Sequence, residues 1–238
     1  MAQIRFDEID AVFFDFGGTL AGMDFVWVAQ ELLGLNVFCS ATDLARADIA
    51  VRRTISAVLK EENPADILPR YLTEILSRTL NESTDRIPDL VSTLAINLRP
   101  QGKDRKLWSN VYAETRQSLI DCSELGLRMA VVSNSDGTIE EGIRALGLRE
   151  FFDVVVDSAV VGYAKPDPMI FQFALDAVGV EANRAIHVGD MYSADVLGAR
   201  AAGVHPVLLD PGDEWRDADC VRVPSLSALV ARLRSTRS

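Results

Sequence analysis

Val12-Phe13-Phe14-Asp15-Phe16-Gly17-Gly18-Thr19 is the stretch on which the reading of this 238-residue chain turns. Three large apolar residues in a row are what a strand buried on both faces needs, and a carboxylate directly after them stands where that strand leaves its sheet. Gly17 and Gly18 let the backbone turn sharply and come close to a ligand with no side chains in the way, and Thr19 adds a hydroxyl beyond the turn. An ordinary strand followed by a Gly-Gly turn has the same residues, so the decision passes to the other segments.

The same pattern returns downstream. An apolar run at 127–132 ends in Ser133-Asn134-Ser135-Asp136-Gly137, one at 152–156 ends in Asp157-Ser158, one at 185–188 runs into Gly189-Asp190, and one at 206–209 ends at Asp210. Helical segments are expected between them. One runs from about 111 to 125 and stops at Gly126; a second starts on the capping-box spacing Thr138-Ile139-Glu140-Glu141 and closes at Gly147. A third has Asp167 as N-cap, Pro168 as first helical residue, and a buried face of Ile170, Phe173, Ala174 and Ala177. Two more are expected over about 193–202 and 225–233. Strands alternating with helices, with nearly continuous apolar strands, predict an α/β fold with a parallel sheet covered on both faces. All strands of such a sheet point one way, so Asp15, Ser133 and Asp190 are expected along one edge, beside the Gly162–Pro168 loop that carries Lys165. Open sheets of this kind bind ligands at that edge.

Between the first strand and the others the period changes. From about 23 to 98 apolar residues recur at helical spacing: Leu44, Val51, Ile55, Val58 and Leu59; then Leu72, Ile75, Leu76 and Leu80; then Leu90, Leu94 and Leu98. Ser40 or Thr42 would cap the first helix and Asp66 the second, with Pro69 in its first turn, and Pro88 would stand early in the third. Arg99-Pro100-Gln101-Gly102 breaks the pattern. Residues 22–102 read as an all-helical insert, and residues 1–21 with 103–238 as the sheet-bearing core.

Composition bounds the function. A formal net charge of −11 and a pI near 4.7 disfavour nucleic-acid and anionic-membrane partners. Cys39, Cys122 and Cys220 are odd in number and widely spaced, so neither a disulfide framework nor a zinc site is expected, and a reducing cytoplasm is the default location. Arg5, Asp7, Glu8 and Asp10 precede any apolar run, and no uncharged apolar stretch approaches membrane-spanning length, so neither a signal peptide nor a membrane span is expected.

The chain resembles the haloacid dehalogenase superfamily of hydrolases. The resemblance rests on four motifs in order: Asp15-Phe16-Gly17-Gly18-Thr19, Val132-Ser133-Asn134, Lys165-Pro166, and Gly189-Asp190 through Asp195. It implies a Rossmann-like core with the helical insert as a cap domain that closes over the site, and hydrolysis of a small phosphorylated molecule through an aspartyl-phosphate on Asp15. It also implies Mg²⁺ held by Asp15, the Gly17 carbonyl and Asp190, with Asp195 holding metal-bound water or fixing Lys165. Gly18, Thr19, Ser133, Asn134 and Lys165 would contact the phosphoryl group. These roles make chemical sense, because a carboxylate nucleophile and a phosphate ester repel each other unless cations bring them together. One position departs from the pattern. Phosphatases of this family usually carry a second Asp two residues after the nucleophile as general acid/base, and here that residue is Gly17. The alternatives are a phosphonatase-like enzyme using a lysine such as Lys60, Lys103 or Lys106, a dehalogenase-like enzyme, or a weakened phosphate-binding or regulatory member. His187 reads as a satisfied core histidine, and Arg46, Arg52 and Arg53 as a solvated helix face.

Overall fold

The structure is a computed structural model that describes residues 4–61, 67–80, 84–99 and 107–237. Among these the strands are, in chain order, β1 (Ala11–Phe14), β2 (Ala21–Met23), β3 (Trp108–Val111), β4 (Arg128–Ser133), β5 (Val154–Asp157), β6 (Ala185–Gly189), β7 (His205–Leu209) and β8 (Val221–Val223). The chain divides into two compact units, Met1–Gly22 with Val111–Ser238, and Met23–Asn110. The expected boundary between 102 and 103 lies among residues outside the described set; the observed division follows Asn110.

In the larger unit six strands form one sheet in the order β5-β4-β1-β6-β7-β8, and each neighbouring pair is parallel. All four residues of β1 are buried, as a central strand covered on both faces requires. Phe14 pairs with Val131 of β4 on one side and with Val188 of β6 on the other, so the carboxyl ends of these three central strands lie on one edge, β4 running two residues and β6 one residue past the level of Phe14. The helix Pro168–Val178 covers one face, packing Ile170, Phe171, Ala174 and Leu175 with Phe13, Ala130, Val132 and Val156.

That helix starts as expected, with the Asp167 side chain accepting from Met169 N and Pro168 in its first turn. Its buried face is rotated from the expected one. Phe171, Leu175 and Val178 go inward with Ile170 and Ala174, while Phe173 is 42% exposed and Ala177 is exposed. Two overlapping stripes satisfy the helical period here, and the one with more large aliphatic groups takes the core. The capping box at Thr138 does not form. The Thr138 hydroxyl donates to Asp136, and Asp157, arriving at the end of β5, accepts from Gly137 N and Ile139 N instead. The helix expected from about 111 begins later, at Thr115: residues 108–111 are β3, and Tyr112 N and the Thr115 hydroxyl both donate to Leu20 O. β8 has no signature in the sequence, because the three residues Val221-Arg222-Val223 are too short to show a period.

The smaller unit is built from the helices Phe25–Gly34, Ala41–Glu61, Leu68–Thr79 and Ile87–Asn97. Asp24 caps the first, Ser40 accepts from Asp43 N at the start of the second, and Pro69 and Pro88 occupy the first turns of the third and fourth. Asp66 lies outside the described residues. Leu44, Val51, Ile55, Leu72, Ile75, Leu76 and Leu94 are fully buried here. The solvated arginine face is corrected at one position. Arg46 and Arg53 are exposed, but Arg52 is buried and paired with Asp48 at 3.0 Å, and Asp48 also accepts from the Tyr71 hydroxyl at 2.8 Å. A buried guanidinium needs such a partner, and Asp48 one turn earlier supplies it. Among the described residues no helix is long and apolar enough to cross a membrane.

Candidate active site at the carboxyl edge of the sheet

Asp15 continues the ladder one residue past β1, donating its N–H to Val188 O at 2.9 Å. The chain then turns tightly: Thr19 N and Leu20 N both donate to Phe16 O, and Gly18 N donates to Ala21 O. Gly18 has φ +80°, and a Cβ there would lie 2.3 Å from Asp190 Oδ2, so only glycine fits between the turn and that carboxylate. A Cβ at Gly189 would lie 2.2 Å from Asp195 Cγ. Both close approaches draw acidic side chains in against the backbone.

Asp15, Asp190 and Asp195 are all buried, and carboxylate oxygens from the three lie within 4.8 Å of one another. Lys165 Nζ reaches into the group, 2.6 Å from Asp15 Oδ1 and 2.6 Å from Asp195 Oδ1, with its side chain almost wholly buried. Asp195 accepts three donors: Lys165 Nζ and His187 Nε2 at Oδ1, the latter at 2.9 Å, and Met191 N at Oδ2, 2.8 Å away. The π-helical turn Tyr192–Val196 presents it, with Asp195 N donating to Met191 O. The Lys165–Pro166 peptide is cis, and the Lys165 main chain is held by the residue that follows β4: its N–H donates to Asn134 Oδ1 at 2.7 Å and its carbonyl accepts from Asn134 Nδ2 at 2.9 Å.

Burial pushes the Asp15 carboxyl up to about 6, against the pull of Lys165 and with the help of Asp195. Burial alone would neutralise Lys165, but Asp15 and Asp195 outweigh it and hold the ammonium above its ordinary value. Asp195, also buried, is brought below its ordinary value by Lys165 and His187. Burial lowers His187 against the pull of Asp195. Three buried carboxylates facing one ammonium leave a negative excess that a cation would offset, and a set of oxygen donors suits a hard divalent ion such as Mg²⁺. Both oxygens of Asp195 are engaged by Lys165, His187 and Met191, which makes it the least suited of the three to hold such an ion.

Of the residues singled out in the sequence, Asp15, Lys165, Asp190 and Asp195 come together. Ser133 is buried at the end of β4, beside β1. Thr19 is fully buried, and its hydroxyl has no hydrogen-bond partner among the described residues. The Asn134 side chain is committed to the Lys165 main chain, so what it can offer a ligand is its backbone N–H. Gly17 is partly exposed beside Asp15 and brings no side chain. Lys60 is exposed on its helix; Lys103 and Lys106 lie outside the described residues. Sequence reasoning missed His187 as a partner of this group. A signal was present: His187 and Gly189 share one face of β6, so the side chain that packs on Gly189 also meets the imidazole.

This fold and site define a class: parallel α/β enzymes that carry their reactive groups where the central strands end. Residues 9–203 match the haloacid dehalogenase-like hydrolase family, and the chain belongs to that family. It is 35% identical over 166 residues to haloacid dehalogenase-like hydrolase domain-containing protein 3 of Bos taurus, covering 67% of this chain and 66% of that protein. It is 39% identical over 121 residues to a glyceraldehyde 3-phosphate phosphatase of Methanothermobacter thermautotrophicus, covering 50% of this chain and 53% of that one. The chain thus spans about half to two thirds of the length of these relatives. The fold is shared with a phosphatase of this family from Thermococcus onnurineus, at a TM-score of 0.62 and 22% identity, over 97% of this chain and all of that one.

Proposed function

We propose that this chain is a Mg²⁺-dependent phosphatase of small phosphorylated metabolites that works through an aspartyl-phosphate on Asp15. The observation that carries this reading is the contact of Lys165 Nζ with Asp15 at 2.6 Å, inside a buried cluster that also contains Asp190 and Asp195. Relatives named as phosphatases of phosphorylated metabolites support it, as does the unpartnered Thr19 hydroxyl beside the turn.

An oxygen of the Asp15 carboxylate attacks phosphorus, the bond from phosphorus to the ester oxygen breaks, and water later hydrolyses the acyl phosphate. Lys165 keeps its charge and offsets the negative charge on the transferring group. Asp15, the Gly17 carbonyl and Asp190 would hold Mg²⁺, which when bound supplies the remaining positive charge. Ser133 and the backbone N–H groups that follow Asp15 and Ser133 would donate to the phosphoryl oxygens. Gly17 cannot donate a proton to the leaving oxygen, so turnover depends on leaving groups that depart unassisted. A general acid/base contributes about 100 to 10,000-fold, which sets the expected gap between aryl or acyl phosphates and sugar or alkyl phosphates.

Phosphate release across a panel of esters tests this, with EDTA and Asp15→Asn as controls. Mg²⁺-dependent release from aryl and acyl phosphates, lost in Asp15→Asn, is the expected result. Gly17 also favours a second reading, a phosphate-binding regulatory member, and binding without turnover in the same panel would establish it.

A further inference from the structure

His187 lies in the middle of β6 with none of its surface exposed, between Phe13 of β1 and Pro206 of β7 in register. Its ring is held on two sides. Nε2 is 2.9 Å from Asp195 Oδ1, and the Phe171 ring meets it edge-on with centroids 4.9 Å apart. We propose that His187 is a positioning residue, whose Nε2–H orients the Asp195 carboxylate so that Asp195 in turn holds Lys165 Nζ against Asp15. The proposal rests on the reading of Lys165 as the cation that faces the phosphoryl group.

An ionised carboxylate only accepts hydrogen bonds, so the ring nitrogen facing it must carry the proton. The imidazole is therefore an Nε2–H donor. Asp195 Oδ1 then has two donors on different sides, Lys165 and His187, while Met191 N holds Oδ2, and three bonds leave the carboxylate one orientation. Without His187, Oδ1 keeps the lysine alone and only Met191 N remains on Oδ2, so the carboxylate can tilt about its last torsion and carry Nζ with it. Partners at this remove from a reacting group typically change activity by about 10 to 100-fold when removed. A histidine that merely fills the core would contribute its volume and no direction, and the two roles separate experimentally. Glutamine places an amide N–H near the position of Nε2; leucine fills the space without a donor.

The test uses the full chain with Mg²⁺ and an aryl phosphate, measuring kcat and KM for wild type, His187→Gln and His187→Leu, alongside the imidazole nitrogen shifts of the wild-type protein. His187 and His205 are the two histidines of the chain, so His187→Gln assigns the signals. The expected results are an Nε2–H tautomer for His187, a kcat lowered about tenfold or more in His187→Leu with KM little changed, and recovery toward wild type in His187→Gln. An Nδ1–H tautomer, a wild-type kcat in His187→Leu, or equal losses in both variants would overturn the proposal. Should His187→Leu fail to fold, the tautomer and the kcat of His187→Gln decide. A wild-type protein without turnover sinks the phosphatase reading, and the tautomer still decides the geometry of the His187 contact.

Discussion

Gly17 decides how much of the reaction Asp15 can complete unaided. Replacing it with Asp restores a carboxyl at the position from which a proton reaches the leaving oxygen, so Gly17→Asp should raise kcat/KM, which reports the phosphoryl-transfer step, on alkyl phosphates by about tenfold or more and leave kcat/KM on aryl phosphates little changed. Equal effects on both substrates would mean that protonation is not what the site lacks. The Asp15 carboxyl carries a second prediction. Burial raises it from 3.8 to about 6 in the metal-free protein, so the folded state holds this proton more tightly than the unfolded state does. The resulting stability is fully present below about 3.8 and is lost as pH rises through about 6. Thermal melts in EDTA should therefore show wild type losing ground to Asp15→Asn over this range; a difference that does not change with pH contradicts the assignment. At this scale the sequence makes Asp15, Lys165 and Asp190 legible, because each ends an apolar run or stands in a loop beside one. It hides the partners. Asn134 meets Lys165 across 31 positions, and nothing local in Ser133-Asn134-Ser135 says that the amide will clamp a distant main chain instead of facing a ligand.

Secondary-structure elements carry these side chains to each other through close backbone contacts. The short helix Leu197–Ala201 follows Asp195, and a Cβ at Gly198 would lie 2.9 Å from Pro166 Cα and 2.9 Å from the Phe171 ring. Gly198→Ala should therefore push this helix off the Lys165-Pro166 loop, costing about 1–3 kcal/mol in urea unfolding and lowering kcat with it. Unchanged stability and activity would show that the loop gives way freely. The strands β1, β4, β6 and β7 are readable as apolar runs, since a strand buried on both faces needs little else. Elements decided by neighbours are harder. The helix Pro168–Val178 chooses between two stripes according to what the sheet beneath can bury, and the N-terminus at Ile139 takes its cap from Asp157 of another strand. Arg52 reads as solvated in the sequence because one arginine on a polar helix looks like the next until Asp48 and Tyr71 close around it.

For the whole molecule, a formal net charge of −11 with a buried acidic cluster at the sheet edge makes cation binding a matter of global stability. A ligand that binds only the folded state stabilises it by mass action, about 2.7 kcal/mol at 100 times its dissociation constant. Mg²⁺ should raise the melting temperature of wild type by several degrees and that of Asp190→Asn much less; equal gains would place the ion elsewhere. The order β5-β4-β1-β6-β7-β8 brings Asp15, Ser133 and Asp190 to neighbouring strand ends, and this much of the arrangement follows from reading one parallel sheet. The most direct test of the account is to mix the protein with Mg²⁺ and acetyl phosphate, quench in acid, and locate the label by mass spectrometry. With no side chain at Gly17 to activate water, the account predicts a hydroxylamine-labile phosphoryl group on the peptide containing Asp15, absent from Asp15→Asn. Turnover that leaves Asp15 unlabelled and survives Asp15→Asn would contradict it.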